Sequence, residues 1–189
     1  KNNLKFKIIG NATNILFSDN GFNGLIISTK NISSCALIGN TSILASAGTK
    51  LSSLIKFSSD NSLSGLEFAI GIPGTVGGAL VMNAGADGSD MSKITKSVTV
   101  LENGDIRVLD SAELQFGYRS SYFQTHKSAI ILFAEFEFLK SNKEEIEQKI
   151  HKNLNRRLQT QPRGKSAGCV FKKCGDIPAG LLLDQAGLK

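Results

Sequence analysis

The chain has 189 residues, 41% hydrophobic and 20% charged, with a net charge of +6. That balance excludes a disordered chain, and no apolar run approaches the ~20 residues of a bilayer-spanning helix. The positive charge favours anionic partners such as nucleotides, or serves only to keep a lysine-rich surface soluble; dispersed basic residues, 7% aromatics and no Trp argue against a nucleic-acid stripe.

Lys1 to Lys7 alternates basic and apolar residues without a signal-peptide core, and the chain starts without Met and stops at Gly187-Leu188-Lys189. Material is expected to be missing from both ends. Phe6 to Ile9, Gly24 to Ser28, Cys35 to Ile38 and Ile43 to Ala47 read as short β-rich runs between Gly, Asn and Ser turns. A helix follows with Leu51, Leu54, Ile55 and Ser58 on one face and Asp60-Asn61 at its end. Residues 97 to 109 form a predicted hairpin about Asn103-Gly104, a pair suited to the positive φ angles of a type I′ turn. Asp110 and Glu113 have capping-box spacing, and Ala129 to Leu139 is a long strand whose Glu135 and Glu137 alternate with Phe136 and Phe138. Ser141 and Glu144 are predicted to cap a helix bearing Ile146, Ile150, Leu154 and Leu158 on one face, ended by Pro162. A final helix is expected near Ala179 to Ala186.

Four segments carry potential chemistry. Gly10-Asn11-Ala12-Thr13-Asn14 follows a strand, and its successive amides suit either an anion such as pyrophosphate or a plain polar turn. Gly71-Ile72-Pro73-Gly74-Thr75-Val76-Gly77-Gly78, continuing to Asn83-Ala84-Gly85, is neither a P-loop nor a GxGxxG fingerprint. Its glycines permit close approach to a flat or charged ligand, or a tight backbone crossing, and a helix starting near Thr75 would offer free N–H groups to a phosphate. Arg119, within Phe116-Gly117-Tyr118-Arg119-Ser120-Ser121, is either a carboxylate-pairing guanidinium or a surface Arg beside a core Tyr. Cys169, within Ser166-Ala167-Gly168-Cys169-Val170-Phe171-Lys172, is either a proton donor or nucleophile, or a buried inert thiol.

The cysteines Cys35, Cys169 and Cys174 form no CxxC and no even disulfide framework, which fits a reducing compartment. His126 and His151 are isolated, so no metal site is predicted, and the absence of Gly-x-Ser-x-Gly argues against a serine hydrolase.

In this order and spacing the four blocks, with Gly65-Leu66-Glu67-Phe68 and Ala186-Gly187-Leu188-Lys189, resemble the UDP-N-acetylenolpyruvoylglucosamine reductases along nearly the whole chain. Each block alone is unspecific; the combination is specific, and the short spacing between Arg119 and Cys169 is similar to the shorter class. The resemblance implies an α+β fold: an FAD-binding module of two α+β subdomains, vanillyl-alcohol-oxidase/PCMH-like, over residues 1–140. The start of a smaller α+β substrate-binding domain would follow over 141–189. It implies a cytoplasmic monomer in peptidoglycan precursor synthesis, with FAD as cofactor, NADPH as hydride donor and UDP-N-acetylglucosamine enolpyruvate as substrate, and with no nucleic-acid or membrane partner.

By the same resemblance, Gly10, Asn11, Ala12, Thr13, Asn14 and Ile15 hold FAD together with Gly71, Ile72, Pro73, Gly74, Thr75, Gly77, Gly78, Asn83, Ala84 and Gly85, and Tyr118 lies near the ring. Arg119 stabilises the enolate charge that develops on the substrate carboxylate. Cys169 stands where the family usually has the proton-donating Ser, and a thiol releases a proton more readily than an alcohol. Arg157, Gln161 and Lys172 are implied substrate contacts. This sequence departs from the family pattern at Ala12, where Gly is usual, and at Lys173 and Cys174, where Asn and Pro are common. A family Glu is expected downstream of Lys189. The rival readings are another FAD oxidoreductase of the same fold and a flavin-binding module without turnover.

Overall fold

The computed structural model describes residues 4–161, 164 and 168–188. The chain divides into two compact units, Lys1–Arg157 and Leu158–Lys189. In the first, β1 (Phe6–Ile9) pairs in parallel with β2 (Leu25–Ser28). Next come β3 (Cys35–Ile38), β4 (Ser42–Ser46) and α1 (Leu51–Asp60). The short strand β5 (Leu63–Ser64) and a 3-10 turn (Glu67–Ala69) lead to α2 (Val76–Val81). A small antiparallel pair, β6 (Gly85–Ala86) and β7 (Ser89–Asp90), precedes the hairpin of β8 (Thr95–Glu102) and β9 (Asp105–Asp110). Then follow α3 (Tyr122–Thr125), β10 (Ile130–Glu137), β11 (Leu139–Lys140) and α4 (Lys143–Thr160), which runs across the division between the units. The second unit contains α5 (Ala179–Gln185).

The main sheet has five strands in the order β3-β4-β10-β8-β9, every pair antiparallel. Period-two alternation sends Ile43, Ala45, Val98, Val100, Ala134 and Phe136 into the core, all at 0% exposure. They share that core with Leu51 and Leu54 of α1 and Val76 and Leu80 of α2. Leu51, Leu54, Ile55 and Ser58 form the buried face expected of α1. The hairpin closes on Asn103 (φ 54°) and Gly104 (φ 96°), the left-handed pair a tight turn needs. Glu113 accepts from the Asp110 amide and Asp110 accepts from the Glu113 amide, both at 3.0 Å, so this predicted capping box forms. The α+β character expected of the chain is thus present.

Two expectations change. The long strand ends at Glu137, because Leu139 and Lys140 leave the main sheet to pair with β5. The capping box predicted for Ser141 and Glu144 does not form: Asn142 Oδ1 accepts from the Glu144 amide at 2.8 Å, while Ser141 Oγ donates to Glu145 at 3.1 Å. The Asn side chain reaches the first free amides directly, one residue closer to the helix. Ile146 is fully buried, Ile150 and Leu154 half-buried, and Leu158 exposed, so the apolar stripe of α4 is used at its start. The predicted stop at Pro162 lies outside the described residues.

Candidate functional site

Two bends meet at the end of β1. Thr13 Oγ1 donates to the Pro73 carbonyl at 3.1 Å, and a Cβ built on Gly10 would lie 2.2 Å from Thr75 Oγ1. Gly10 is therefore needed for the two loops to touch. Ala12 holds φ 54°, a left-handed conformation that suits Gly, which gives its place in the turn a physical meaning. Among the described residues, the amides of residues 10–14, Gly74 and Thr75 donate to no protein group. Consecutive uncommitted amides of this kind make an anion cradle.

The start of α2 contributes differently from expectation. Thr75 is its N-cap, but the Val76 and Gly77 amides donate to the Thr49 and Ala47 carbonyls, each at 2.8 Å, and Gly78 N donates to Thr75 Oγ1. These N–H groups are committed to protein and are not free for a phosphate, because the loop after β4 packs against them. Thr49 and Ala47 were not singled out from sequence; they became visible only through this pairing.

Arg119 is tied to the segment that follows α2. It occupies a four-residue turn in which Gly117 and Ser120 exchange backbone hydrogen bonds of 3.0 and 3.2 Å, and its own φ is 53°. Its Nη1 donates to the Asn83 carbonyl at 3.3 Å and its Nη2 to the Gly85 carbonyl at 2.6 Å. Two of the five guanidinium donors are thus anchored to the segment after α2. Its cationic carbon lies 5.6 Å from the centre of the half-exposed Tyr118 ring. Asn83 is buried and its side chain works internally, donating to Gly117 O at 2.9 Å and accepting from Ser92 N at 3.0 Å.

Arg157 reaches back from α4, with Nη2 3.3 Å from the Gly71 carbonyl, and a Cβ on Gly71 would come 2.9 Å from its Nε. Burial, and then the neighbouring Arg156, push its pKa below the ordinary arginine value. Gln161, Cys169 and Lys172 belong to the second unit, where all three are exposed; Ser166 and Ala167 of the Cys169 block lie outside the described residues. The exposure of Cys169 sets aside the buried, inert thiol. Among the described residues no group of three or more His, Cys, Asp or Glu could hold a metal ion, and no helix is long and apolar enough to cross a membrane.

Residues 1–110 match the FAD binding domain family. The UDP-N-acetylenolpyruvoylglucosamine reductase of Anoxybacillus flavithermus is 41% identical over 100% of this chain and 63% of its own length. That of Caldanaerobacter subterraneus is 41% identical over 98% of this chain and 62% of its own. The crystal structure of the reductase from Thermus caldophilus superposes with a TM-score of 0.87 at 34% identity, covering all of this chain and 68% of that one. The chain belongs to the UDP-N-acetylenolpyruvoylglucosamine reductase family. The resemblance drawn from the motifs is thereby borne out, although the chain spans 62–63% of the length of these curated relatives. A cholesterol oxidase from Brevibacterium sterolicum shares the fold at a TM-score of 0.52 and 12% identity, over 71% of this chain.

For a reductase-family chain with an FAD-binding domain, the donor set is chemically apt. Uncommitted amides and the short polar side chains of Thr13 and Asn14 fit a diphosphate, and Tyr118 offers an exposed aromatic face to a flat ring system.

Proposed function

We propose that this chain carries the cofactor site and part of the substrate site of an enzyme that reduces UDP-N-acetylglucosamine enolpyruvate to UDP-N-acetylmuramate with NADPH, a step of peptidoglycan precursor synthesis. FAD, when bound, supplies the hydride chemistry between NADPH and the enolpyruvyl group. The reading assigns the FAD-binding module to residues 1–140 and the beginning of the substrate-binding part to 141–189. It also makes the protein a monomer of the cytoplasm.

In this reading the main-chain amides of Gly10 to Asn14, Gly74 and Thr75 grip the diphosphate, with Ile15 and the rest of the Gly71 to Gly78 loop shaping the cradle and Asn83, Ala84 and Gly85 framing the ring side. Gly77 and Gly78 act by packing, since their amides are committed to the protein. The observation that carries the reading is the anchored guanidinium of Arg119, held by two carbonyls of the loop after α2 with further donors uncommitted to them. A cation fixed in this way pairs with a carboxylate and stabilises negative charge that grows on it, without reorganising. Cys169 delivers the proton to the carbon next to the carboxylate, and Arg157, Gln161 and Lys172 contact the nucleotide-sugar.

Stopped-flow mixing of the full-length protein tests this. NADPH bleaches the flavin absorbance, and the UDP-enolpyruvyl sugar then restores it at a catalytically competent rate. Bleaching without restoration would instead favour a flavin-binding module, and oxygen consumption with an alcohol donor another oxidoreductase of this fold.

A further inference from the structure

A non-glycine residue at φ 53° is strained, and such a conformation persists only where its surroundings impose it. For Arg119 the surroundings can be named. The guanidinium is tied to the Asn83 and Gly85 carbonyls, and the Gly117–Ser120 bonds close the turn. The backbone of Arg119 itself is gripped by one further group: Gln124 Nε2 in α3 donates to the Arg119 carbonyl at 2.8 Å.

The same amide also donates to the Val81 carbonyl at 3.1 Å. Val81 is the last residue of α2, so its carbonyl needs a partner outside the helix. Ser121 Oγ serves that carbonyl too, at 2.7 Å. Gln124 Nε2, which also lies 3.6 Å from Met82 Sδ, thus joins the end of the helix that follows the glycine loop to the peptide of the residue that carries the cation. Ser121 reaches only the helix end.

We propose that Gln124 is a positioning residue for Arg119: by bridging the Val81 and Arg119 carbonyls it holds the left-handed turn that aims the guanidinium at the Asn83–Gly85 edge. This rests on the role of Arg119 given above. Without the bridge the turn relaxes towards φ below zero, and the guanidinium loses its fixed station while the diphosphate cradle, built from other segments, is untouched.

The test uses the full-length FAD-loaded protein. Gln124→Met keeps the length and removes both donors. It is expected to slow flavin reoxidation by the UDP-enolpyruvyl sugar by about tenfold, the factor set by one hydrogen bond of ordinary net strength, with flavin reduction by NADPH unchanged. In an Arg119→Ala background the same substitution should slow reoxidation no further, because groups acting as one unit are not additive. Gln124→Lys, whose ammonium can donate to both carbonyls, should restore most of the rate. Ser121→Ala should lower the melting temperature without altering the ratio of the two half-reactions. Independently of turnover, amide hydrogen exchange at Gly117 and Ser120 should quicken in Gln124→Met. Should that variant not fold, Gln124→Leu, which lacks the donors and adds no charge, carries the same expectations. Equal slowing of both half-reactions, an additive loss on Arg119→Ala, or unchanged exchange at the turn overturns the proposal. Normal reoxidation in Arg119→Ala alone overturns the role of Arg119 as well, so the two failures are distinguishable.

Discussion

Gly10→Ala adds one carbon at the point where the two bends touch. That carbon would sit 2.2 Å from Thr75 Oγ1 and 3.2 Å from Thr75 Cβ and Cγ2. Thr75 cannot swing into solvent: it is 2% exposed, and its hydroxyl caps α2 by accepting from Gly78 N. Turning the hydroxyl away loses the cap, about 1 kcal/mol. Keeping it and separating the bends is overpacking, which costs about 1–3 kcal/mol. Whichever route is cheaper, at least about 1 kcal/mol is lost, or about 2–4 °C of melting temperature for a chain of this size. Because both bends supply the uncommitted amides, FAD affinity should fall by about fivefold or more. Flavin fluorescence titration and calorimetry of wild type and Gly10→Ala read both effects. Gly180→Ala is the control: a Cβ there meets nothing within 4 Å inside α5, so the variant should gain up to about 1 kcal/mol through helix propensity. Unchanged FAD affinity and melting temperature in Gly10→Ala would refute the cradle as a closely fitted pair of loops.

Arg119→Lys should reduce the reoxidation step by about 10²–10³-fold while leaving NADPH reduction intact, since an ammonium cannot fork between the Asn83 and Gly85 carbonyls and a carboxylate; stopped-flow half-reactions check it. Cys169→Ala should abolish efficient solvent-proton incorporation at the reduced carbon and Cys169→Ser should retain it, measured by deuterium incorporation; an unchanged reduction rate in Cys169→Ala removes the thiol from the mechanism. Glu137 joins β10 to Ser42 and Thr41, whose hydroxyls donate to it at 2.6 Å and hold its pKa below the ordinary glutamate value. Its contribution is complete above that ordinary value and lost as pH falls through the lower folded one. Glu137→Gln should therefore lower the melting temperature most at neutral pH, with variant and wild type converging as pH falls, so that the acid limb of the profile is flatter in the variant.

Much of the local structure was readable because it depends on near neighbours. The burial face of α1, the Asn103-Gly104 turn and the Asp110–Glu113 cap follow from spacing and from the conformations those side chains allow. The helix cap at Asn142 was misplaced by one residue because Ser141 and Asn142 are both good caps, and only packing chooses between them. Committed amides at the start of α2 were invisible for a stronger reason: their acceptors, Ala47 and Thr49, lie nearly thirty positions earlier.

By itself the sequence determined which segments could bind an anion, where a guanidinium and a thiol stood, and the family in which that order of blocks occurs. Glycines, turn pairs and motif spacing are local properties, and they survive in one dimension. Tertiary structure alone decided which amides remain uncommitted, why Gly10 must lack a side chain, and how Val81, Asn83, Gly85 and Gln124 constrain Arg119. Those are contacts between residues far apart in the chain, and a hydrogen bond depends on distance and direction in space, which sequence order does not record.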